Sequence, residues 1–266
     1  MFKRLCQTSY LFLLLSCSPY IWSDQNTQLL QIRTIAVSPY GIESTSTEHA
    51  LSEKTESNSG IYYDLANTLI HQLSADTQFL LDHKIYPYAR IIHELKTGQT
   101  DLTIMFKYAE LEDYVTYLHP LPTLTNIVIG LNGKEFKNIA ELEGKTLAYL
   151  RGAKFSDDID NNPKIFKITT KDFRQGIDLL NAGRVDAIIG PSEPIIAAAQ
   201  KVGVHEDFFG LPLAVSQRTP WVQISNKSPL MAIIPEIKQH IEYIISKGEL
   251  NILREYYLSH HRHLIE

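Results

Sequence analysis

The spacing of apolar positions along the chain changes period several times. LLQIRTIAVSPYG alternates at Ile32, Thr34 and Ala36 and stops at Pro39 and Gly41, which predicts a strand over 31–38 that feeds a loop. The next stretch, IESTSTEHALSEKTESNSG, has few apolar residues and many Ser, Thr and Glu, so 42–60 reads as a long polar loop. From Tyr62 the spacing turns helical, with Leu65, Leu69, Ile70 and Leu73 on one face and Asp64 in the first turn. Near the other end, Ile237, Ile241, Ile244 and Ile245 share a helical face that stops at Gly248. Leu250, Leu253 and Tyr257 begin a second helix.

One pattern occurs twice. HELKTGQTDLTIM sets Leu95, Gly98 and Asp101 three residues apart, and DLLNAGRVDAIIG sets Leu180, Gly183 and Asp186 at the same spacing. Each copy reads as a helix whose apolar face ends at Leu, a Gly in the left-handed C-terminal position, and an Asp that opens a buried strand. The strands contain Leu102, Ile104 and Met105 in one copy and Val185, Ala187, Ile188 and Ile189 in the other. Two such units suggest two similar α/β lobes, although any α/β protein contains several of them. Between them, NIAELEGKTLAYLRGAKF gives a turn at Gly144, a strand TLAYL, and Arg151 and Gly152 just ahead of a predicted helix whose amides could hold an anion.

Composition narrows the class. The chain has 266 residues, 44% hydrophobic and 21% charged, which excludes collagen-like, low-complexity and wholly disordered chains. Lys3 and Arg4, the apolar run Tyr10 to Cys17, Pro19 and the small Ser23 read as a cleaved secretory signal peptide over 1–23. The apolar run is too short to span a bilayer, so the expectation is export to the periplasm of a Gram-negative bacterium. A buried N-terminal helix and a lipobox-like Leu14 to Cys17, with Cys17 lipidated, are the alternatives. Cleavage would remove both cysteines and leave 23 basic against 30 acidic residues, a charge balance that disfavours nucleic acid as a partner.

The order of segments resembles the type 3 family of bacterial periplasmic solute-binding proteins, whose best-known members capture polar amino acids for ABC transporters. GIYYDLANTLIHQL, ARIIHELKTGQTDLTIM, EDYVTYLHPL, ELEGKTLAYLRG, LLNAGRVDAIIG and IEYIISKGELNILREYY are similar, in that order, to the family's successive motifs. No motif is specific alone; the six in order carry the resemblance. It implies an α/β, type II periplasmic-binding-protein fold of two lobes joined by two strands. The crossings fall near LTNIVIG and LAVSQRTPWVQIS, which gives lobe 1 as 24–125 plus 220–266 and lobe 2 as 126–219. A solute would lie in the cleft and hinge closure would signal its capture.

The resemblance also implies an Arg ahead of the Pro signature for an α-carboxylate and an acid after the second Asp strand for the ammonium. Here Leu111 stands at the first position and Gly190 or Pro191 at the second, with Lys107 and Glu193 the substitutes within reach. What surrounds the expected cleft is aromatic and basic: Tyr40, Tyr88, Arg90, Phe106, Lys107 and Tyr108 from lobe 1, and Arg151, Lys154, Ser192 and Glu193 from lobe 2. Arg grips a carboxylate or phosphate with two parallel bonds, and Tyr stacks on a ring while donating its hydroxyl. The expected ligand is therefore a small polar solute, anionic or aromatic. The alternative is that Tyr88 and Phe106 are core residues and Lys107 and Lys154 are solvated. Trp221, beside the second crossing, reads as a hinge, cleft or core residue. His260, His261 and His263 lack the partners of a metal site and read as a solvated end.

These readings favour a non-enzymatic monomer with no cofactor or metal, serving an ABC permease or a membrane-bound sensor. The resemblance leaves one enzymatic alternative, a periplasmic cyclohexadienyl dehydratase acting on prephenate or arogenate on the same fold. It would need Glu193 as general acid beside Arg90 and Arg151.

Overall fold

The structure, a computed structural model, describes residues 28–44, 58–74 and 79–258. The leader with Cys6 and Cys17, most of the polar loop and the histidine tail lie outside the described residues. In chain order the elements are β1 (Gln28–Ile35), α1 (Ile61–Leu73), β2 (Phe79–Tyr86), α2 (Tyr88–Thr97), β3 (Leu102–Phe106), β4 (Val115–Pro120), β5 (Leu124–Ile129), β6 (Thr146–Leu150), α3 (Asp157–Asp160), β7 (Phe166–Thr170), α4 (Phe173–Asn181), β8 (Ala187–Pro191), α5 (Ser192–Lys201), β9 (Leu213–Arg218), β10 (Pro220–Ser225), α6 (Ile234–Ser246) and α7 (Glu249–Leu258).

These strands form two five-stranded sheets, ordered β2-β1-β3-β10-β4 and β7-β6-β8-β5-β9. In each, the first three strands are parallel and the last two pairings are antiparallel. The two sheets therefore share one plan, with β10 and β5 in the equivalent fourth position. Each of those two strands reaches its sheet across the lobe boundary, by way of 121–123 between β4 and β5 and Thr219 between β9 and β10. The Thr123 and Thr219 hydroxyls hydrogen-bond at 2.7 Å, so the crossings run side by side.

The repeated Leu-Gly-Asp pattern explains why the sheets match. Gly98 and Gly183 have φ of 80° and 64°, and the amides after them, Gln99 and Arg184, donate to Glu94 and Leu179 carbonyls at 2.8 and 2.9 Å. This closes each helix by a six-to-one bond that a left-handed residue makes possible. The Asp that follows does the same job twice. Asp101 accepts from the Gln31 amide at 2.7 Å and Asp186 from the Thr146 amide at 2.9 Å. Each also donates its own amide back to the same residue's carbonyl, so each Asp fixes the start of its strand against the neighbouring one.

Two sequence expectations change. β1 runs Gln28–Ile35 rather than 31–38, because β2 pairs with it from Gln28 onward while Val37, Tyr40 and Gly41 already close a turn beyond Ile35. The helix expected after Gly152 is only the four-residue α3, beginning at Asp157, so no helix terminus sits at Arg151 and Gly152. The first strand's turn in turn seeds α1. Gly60 has φ 128°, and a Cβ there would stand 2.6 Å from the Tyr40 carbonyl oxygen. That close approach lets the Pro39 and Tyr40 carbonyls accept from the Ile61 and Tyr62 amides at 3.0 Å each, satisfying donors that a helix start leaves free.

Lobe 1 buries a charged network beneath β1. Arg33, 3% exposed, donates to Glu94 at 3.0 Å, to Asp82 at 3.0 Å and to the Ile32 carbonyl at 2.9 Å. Glu94 also accepts from Arg90 at 2.9 Å and Thr100 at 3.0 Å. Burial alone would raise the carboxyl pKa values, but the bonds to Glu94 from Arg90, Thr100 and Arg33, and those to Asp82 from Lys84 and Arg33, outweigh it and hold both below the ordinary range. His83 accepts or donates to Asn67 and Thr34 at 2.7 and 2.8 Å and stacks on Tyr63. Burial, reinforced by the Arg33 charge, lowers its pKa from 6.5 to about 3. No helix of the described residues is long and apolar enough to cross a membrane.

Removing one partner of a buried pair strands the other, so Glu94→Ala is expected to cost about 3 kcal/mol, read from urea unfolding of the unliganded protein. Equal stability of variant and parent would contradict this network. The native state holds fewer protons than the unfolded chain at His83, Glu94 and Asp82. Their stabilisation is thus complete above the ordinary histidine value of 6.5 and declines as pH falls toward about 3. The thermal midpoint should fall on acidification from pH 7, and His83→Gln should flatten the part of that fall nearest pH 6; an unchanged profile in the variant would rule out His83 as its source.

Candidate functional site

The strands of both sheets end toward the boundary between the lobes, the usual place for a ligand crevice in open α/β sheets. From lobe 1 come Tyr40 after β1, Tyr62 at the start of α1, Tyr88 at the start of α2 and Phe106 at the end of β3. Lobe 2 contributes Leu150 at the end of β6, Phe155, Phe173 at the start of α4 and Pro191 at the end of β8. Together with Leu124 and Pro220 of the crossing strands they line a narrow cleft that their own side chains nearly fill, with a free volume of only about 10 Å³. Its walls are almost wholly apolar or aromatic. The Tyr40 and Tyr62 rings stack at 4.4 Å, and Phe155 packs on Tyr149 and Phe173 at 5.2 and 6.3 Å.

Polar chemistry stands at the margins. Glu193, in the first turn of lobe 2's α5, accepts the Tyr40 hydroxyl at 2.6 Å and the Arg254 guanidinium at 2.6 Å. Both donors belong to lobe 1 elements, so one carboxylate of one lobe is held from the other. Lys201 of α5 reaches the Ser38 hydroxyl at 3.4 Å along the same edge. Elsewhere, the Arg218 guanidinium donates to the Lys107 carbonyl at 2.6 Å and to the Lys154 carbonyl, again one acceptor from each lobe. Burial raises the pKa of Tyr40, Tyr62, Tyr88, Tyr108 and Tyr149, so these phenols stay protonated; those of Tyr40 and Tyr149 are already spent on Glu193 and Asp160. Asn126, fully buried where β5 leaves the crossing, donates to the Phe155 carbonyl at 3.1 Å and the Ser216 hydroxyl at 2.9 Å, which fixes the Phe155 loop.

The expected site residues separate into three groups. Tyr40, Tyr88 and Phe106 line the cleft, and Glu193 is bonded to its wall through Tyr40. Lys107, Lys154 and Tyr108 line an adjoining open groove with Arg218; the Lys107 ammonium sits 3.8 Å from the Trp221 ring centroid and 4.3 Å from that of Tyr117. The remaining three are placed otherwise. Arg90 lies over the Tyr86 ring at 3.5 Å and pairs with Glu94, so its guanidinium serves the lobe 1 network and does not line the cleft. Arg151 is exposed on the turn after β6, where neighbouring Gly152 meets Ala89 of lobe 1, and Ser192 is half-buried as the first residue of α5. Glu193 hydrogen-bonds to neither Arg90 nor Arg151; its bonds go to Tyr40 and Arg254. Leu111 is fully buried in the core, and Gly190 brings its backbone against the Phe173 ring, so neither position supplies a charge. Among the described residues no group of His, Cys, Asp and Glu could hold a metal ion.

Sequence reasoning missed Arg218, Arg254, Tyr62, Phe155 and Phe173. Arg218 stood within the predicted second crossing, and that place was the available signal. Nothing local marks Arg254, an exposed-looking position of the last helix.

No family model matches the chain. It is 27% identical over 144 residues to the probable amino-acid-binding protein YxeM of Bacillus subtilis (strain 168), a match that covers 52% of this chain and 54% of that protein. The match thus spans about half the length of that curated relative. Among solved structures, the chain superposes on the substrate-binding protein of an amino acid ABC transporter with a TM-score of 0.68 and 17% identity, covering 87% of this chain and 99% of the other. This is the type II periplasmic-binding-protein fold. A histidine kinase sensor domain with similarity to periplasmic binding proteins is also similar, with a TM-score of 0.68 at 11% identity, covering 88% and 96%. The resemblance of this chain to the type 3 solute-binding proteins therefore holds in sequence and in fold.

The Glu193 carboxylate joins the two lobes through Tyr40 and Arg254. Glu193→Ala leaves the Tyr40 hydroxyl and the Arg254 guanidinium without their acceptor, which should cost the closed arrangement about 2 kcal/mol. Small-angle scattering of the unliganded protein should then show a larger radius of gyration than the parent. An identical scattering curve would mean that Glu193 does not hold the lobes together.

Proposed function

We propose that this chain is an extracytoplasmic solute-binding protein that captures a small, amino-acid-like solute between its lobes and presents it to an ABC permease or a membrane-bound sensor. The observation that carries this reading is the cleft itself. Its walls come from both lobes, and its margins are held by bonds that each cross the boundary, Glu193 to Tyr40 and Arg254, and Arg218 to Lys107 and Lys154. Such a site is completed only when the lobes close, so binding and closure are coupled. The likeness to an amino-acid transporter's binding protein supports amino acids as the class, and the likeness to a sensor domain supports signalling as the other destination.

Within that class, the chemistry of the walls favours a solute with an anionic group and a planar or aromatic body. Tyr88 and Phe106 bring rings to the cleft, and the Tyr88 phenol stays protonated as a donor, while the Tyr40 hydroxyl is held by Glu193. The absence of charge at Leu111 and Gly190 means that the solute's charged groups must find other partners.

A thermal-unfolding screen against amino acids, organic acids and aromatic acids tests the reading. A solute at about 100 times its dissociation constant adds roughly 2.7 kcal/mol, which should raise the midpoint by about 5 to 10 °C if both lobes unfold together. A shift confined to one class names the solute. No shift with any member would contradict a solute-binding role for the cleft.

A further inference from the structure

β2 is the outermost strand of lobe 1's sheet, and among the described residues no strand pairs with its outer edge. The Tyr86 carbonyl accepts from the Ala36 amide at 2.9 Å, so the even-numbered residues of β2 turn their backbone groups inward, toward β1. Strand alternation then aims the amides and carbonyls of Leu81, His83 and Ile85 outward, where they form a template for another strand. The side chains along this edge are both apolar and charged. Leu80 and Leu81 are 57% and 43% exposed, and Leu29, in register with Leu80, is 53% exposed. Asp82 and Lys84 lie two apart on one face, where the half-exposed Lys84 ammonium donates to the Asp82 carboxylate at 3.1 Å.

We propose that the outer edge of β2 joins two copies of this chain, antiparallel and with His83 opposite His83, into one continuous sheet. The sequence LLDHKIY is matched to itself about that point. Asp82 faces Lys84 of the second copy, Leu81 faces its Ile85 and Leu80 faces its Tyr86, so acid meets base and apolar meets apolar. Outward backbone groups meet outward backbone groups at Leu81, His83 and Ile85, which gives about six hydrogen bonds between the strands. The neighbouring registers set Asp82 against Asp82 or Lys84 against Lys84, and like charges directly opposite each other disfavour both. A lone lysine on an edge strand blocks pairing, but the acid two residues away turns this one into a register signal. The corresponding outer strand of lobe 2, β7, carries Lys167 and no acid, and that ammonium donates to the Asn162 and Ile165 carbonyls, so β7 lacks the symmetry. Exposed charges add little affinity, and a single strand junction buries a small area, so the dimer is weak and grows with concentration. It replaces the monomer expected from the sequence, leaves each copy its own cleft, and does not depend on what the cleft binds.

The test is sedimentation velocity of the parent, Lys84→Asp, Asp82→Lys and Leu81→Pro over about a hundredfold range of concentration that reaches the high micromolar. The parent's mean sedimentation coefficient should climb from that of a monomer toward that of a dimer. Lys84→Asp places acid against acid and Asp82→Lys base against base, so each alone should dimerise about 10-fold more weakly or worse. An equal mixture of those two variants restores acid against base at both positions and should dimerise as the parent does. Leu81→Pro removes an outward amide that the monomer does not need for its own ladder, and should abolish the dimer while the thermal midpoint stays near the parent's. A parent that remains monomeric across the range would overturn the proposal. So would a dimer that persists in both Lys84→Asp and Leu81→Pro, which would place the contact elsewhere, or a mixture of folded variants that fails to recover it. Asp82 also accepts from Arg33, so if Asp82→Lys does not fold, Lys84→Asp and Leu81→Pro decide the matter.

Discussion

The chain passes between its two sheets through two short segments, 121–123 and Thr219, and the threonines that face each other there are hydrogen-bonded at 2.7 Å. Everything else follows from that constraint. Two sheets joined this way cannot slide freely or separate; they can rotate about the crossings, and the surfaces opposite the hinge can be brought together or parted. The polar bonds described across the boundary, from Tyr40 and Arg254 to Glu193, from Lys201 to Ser38 and from Arg218 to Lys107 and Lys154, sit at the margins of an apolar cleft.

The shared plan of the sheets places the cleft. Because both lobes run their parallel strands toward the boundary, the residues that follow β1, β3, β6 and β8 all arrive at one place. This explains why Tyr40, Phe106, Phe155 and Pro191, far apart in sequence, share a wall. The Arg33 network ties Arg90 and Glu94 into lobe 1 and leaves the cleft to aromatic and apolar side chains. The lobe's buried charge thus stabilises the platform, while the charges at the cleft margins are shared between lobes.

Much of this was legible in the residues alone. The repeated Leu, Gly and Asp signalled two equivalent helix-to-strand joints, because a left-handed helix end and a strand-fixing carboxylate each demand a particular residue type at a fixed offset. Tyr40 and Glu193 were likewise visible as side chains placed just past strand ends. Other features had no local signal. The partners of Arg218 lie 64 and 111 residues away and Arg254 lies 61 from Glu193, so only the fold shows that they meet. Arg90 looked free because its acid, Glu94, reads as an ordinary helix neighbour until Arg33 is seen on its other oxygen. β2 carries exposed Leu80 and Leu81 at the sheet edge, which blurs the alternation by which a strand is recognised.

The central claim is that the lobes close about the two crossings upon an amino-acid-like solute. Spin labels at Lys238→Cys in lobe 1 and Lys145→Cys in lobe 2, in a Cys6→Ser, Cys17→Ser background, report that motion as a distance distribution by pulsed electron resonance. The account predicts a broad or two-component distribution for the protein alone and a single shorter component in a saturating mixture of L-amino acids. The same distribution with and without the mixture would contradict it.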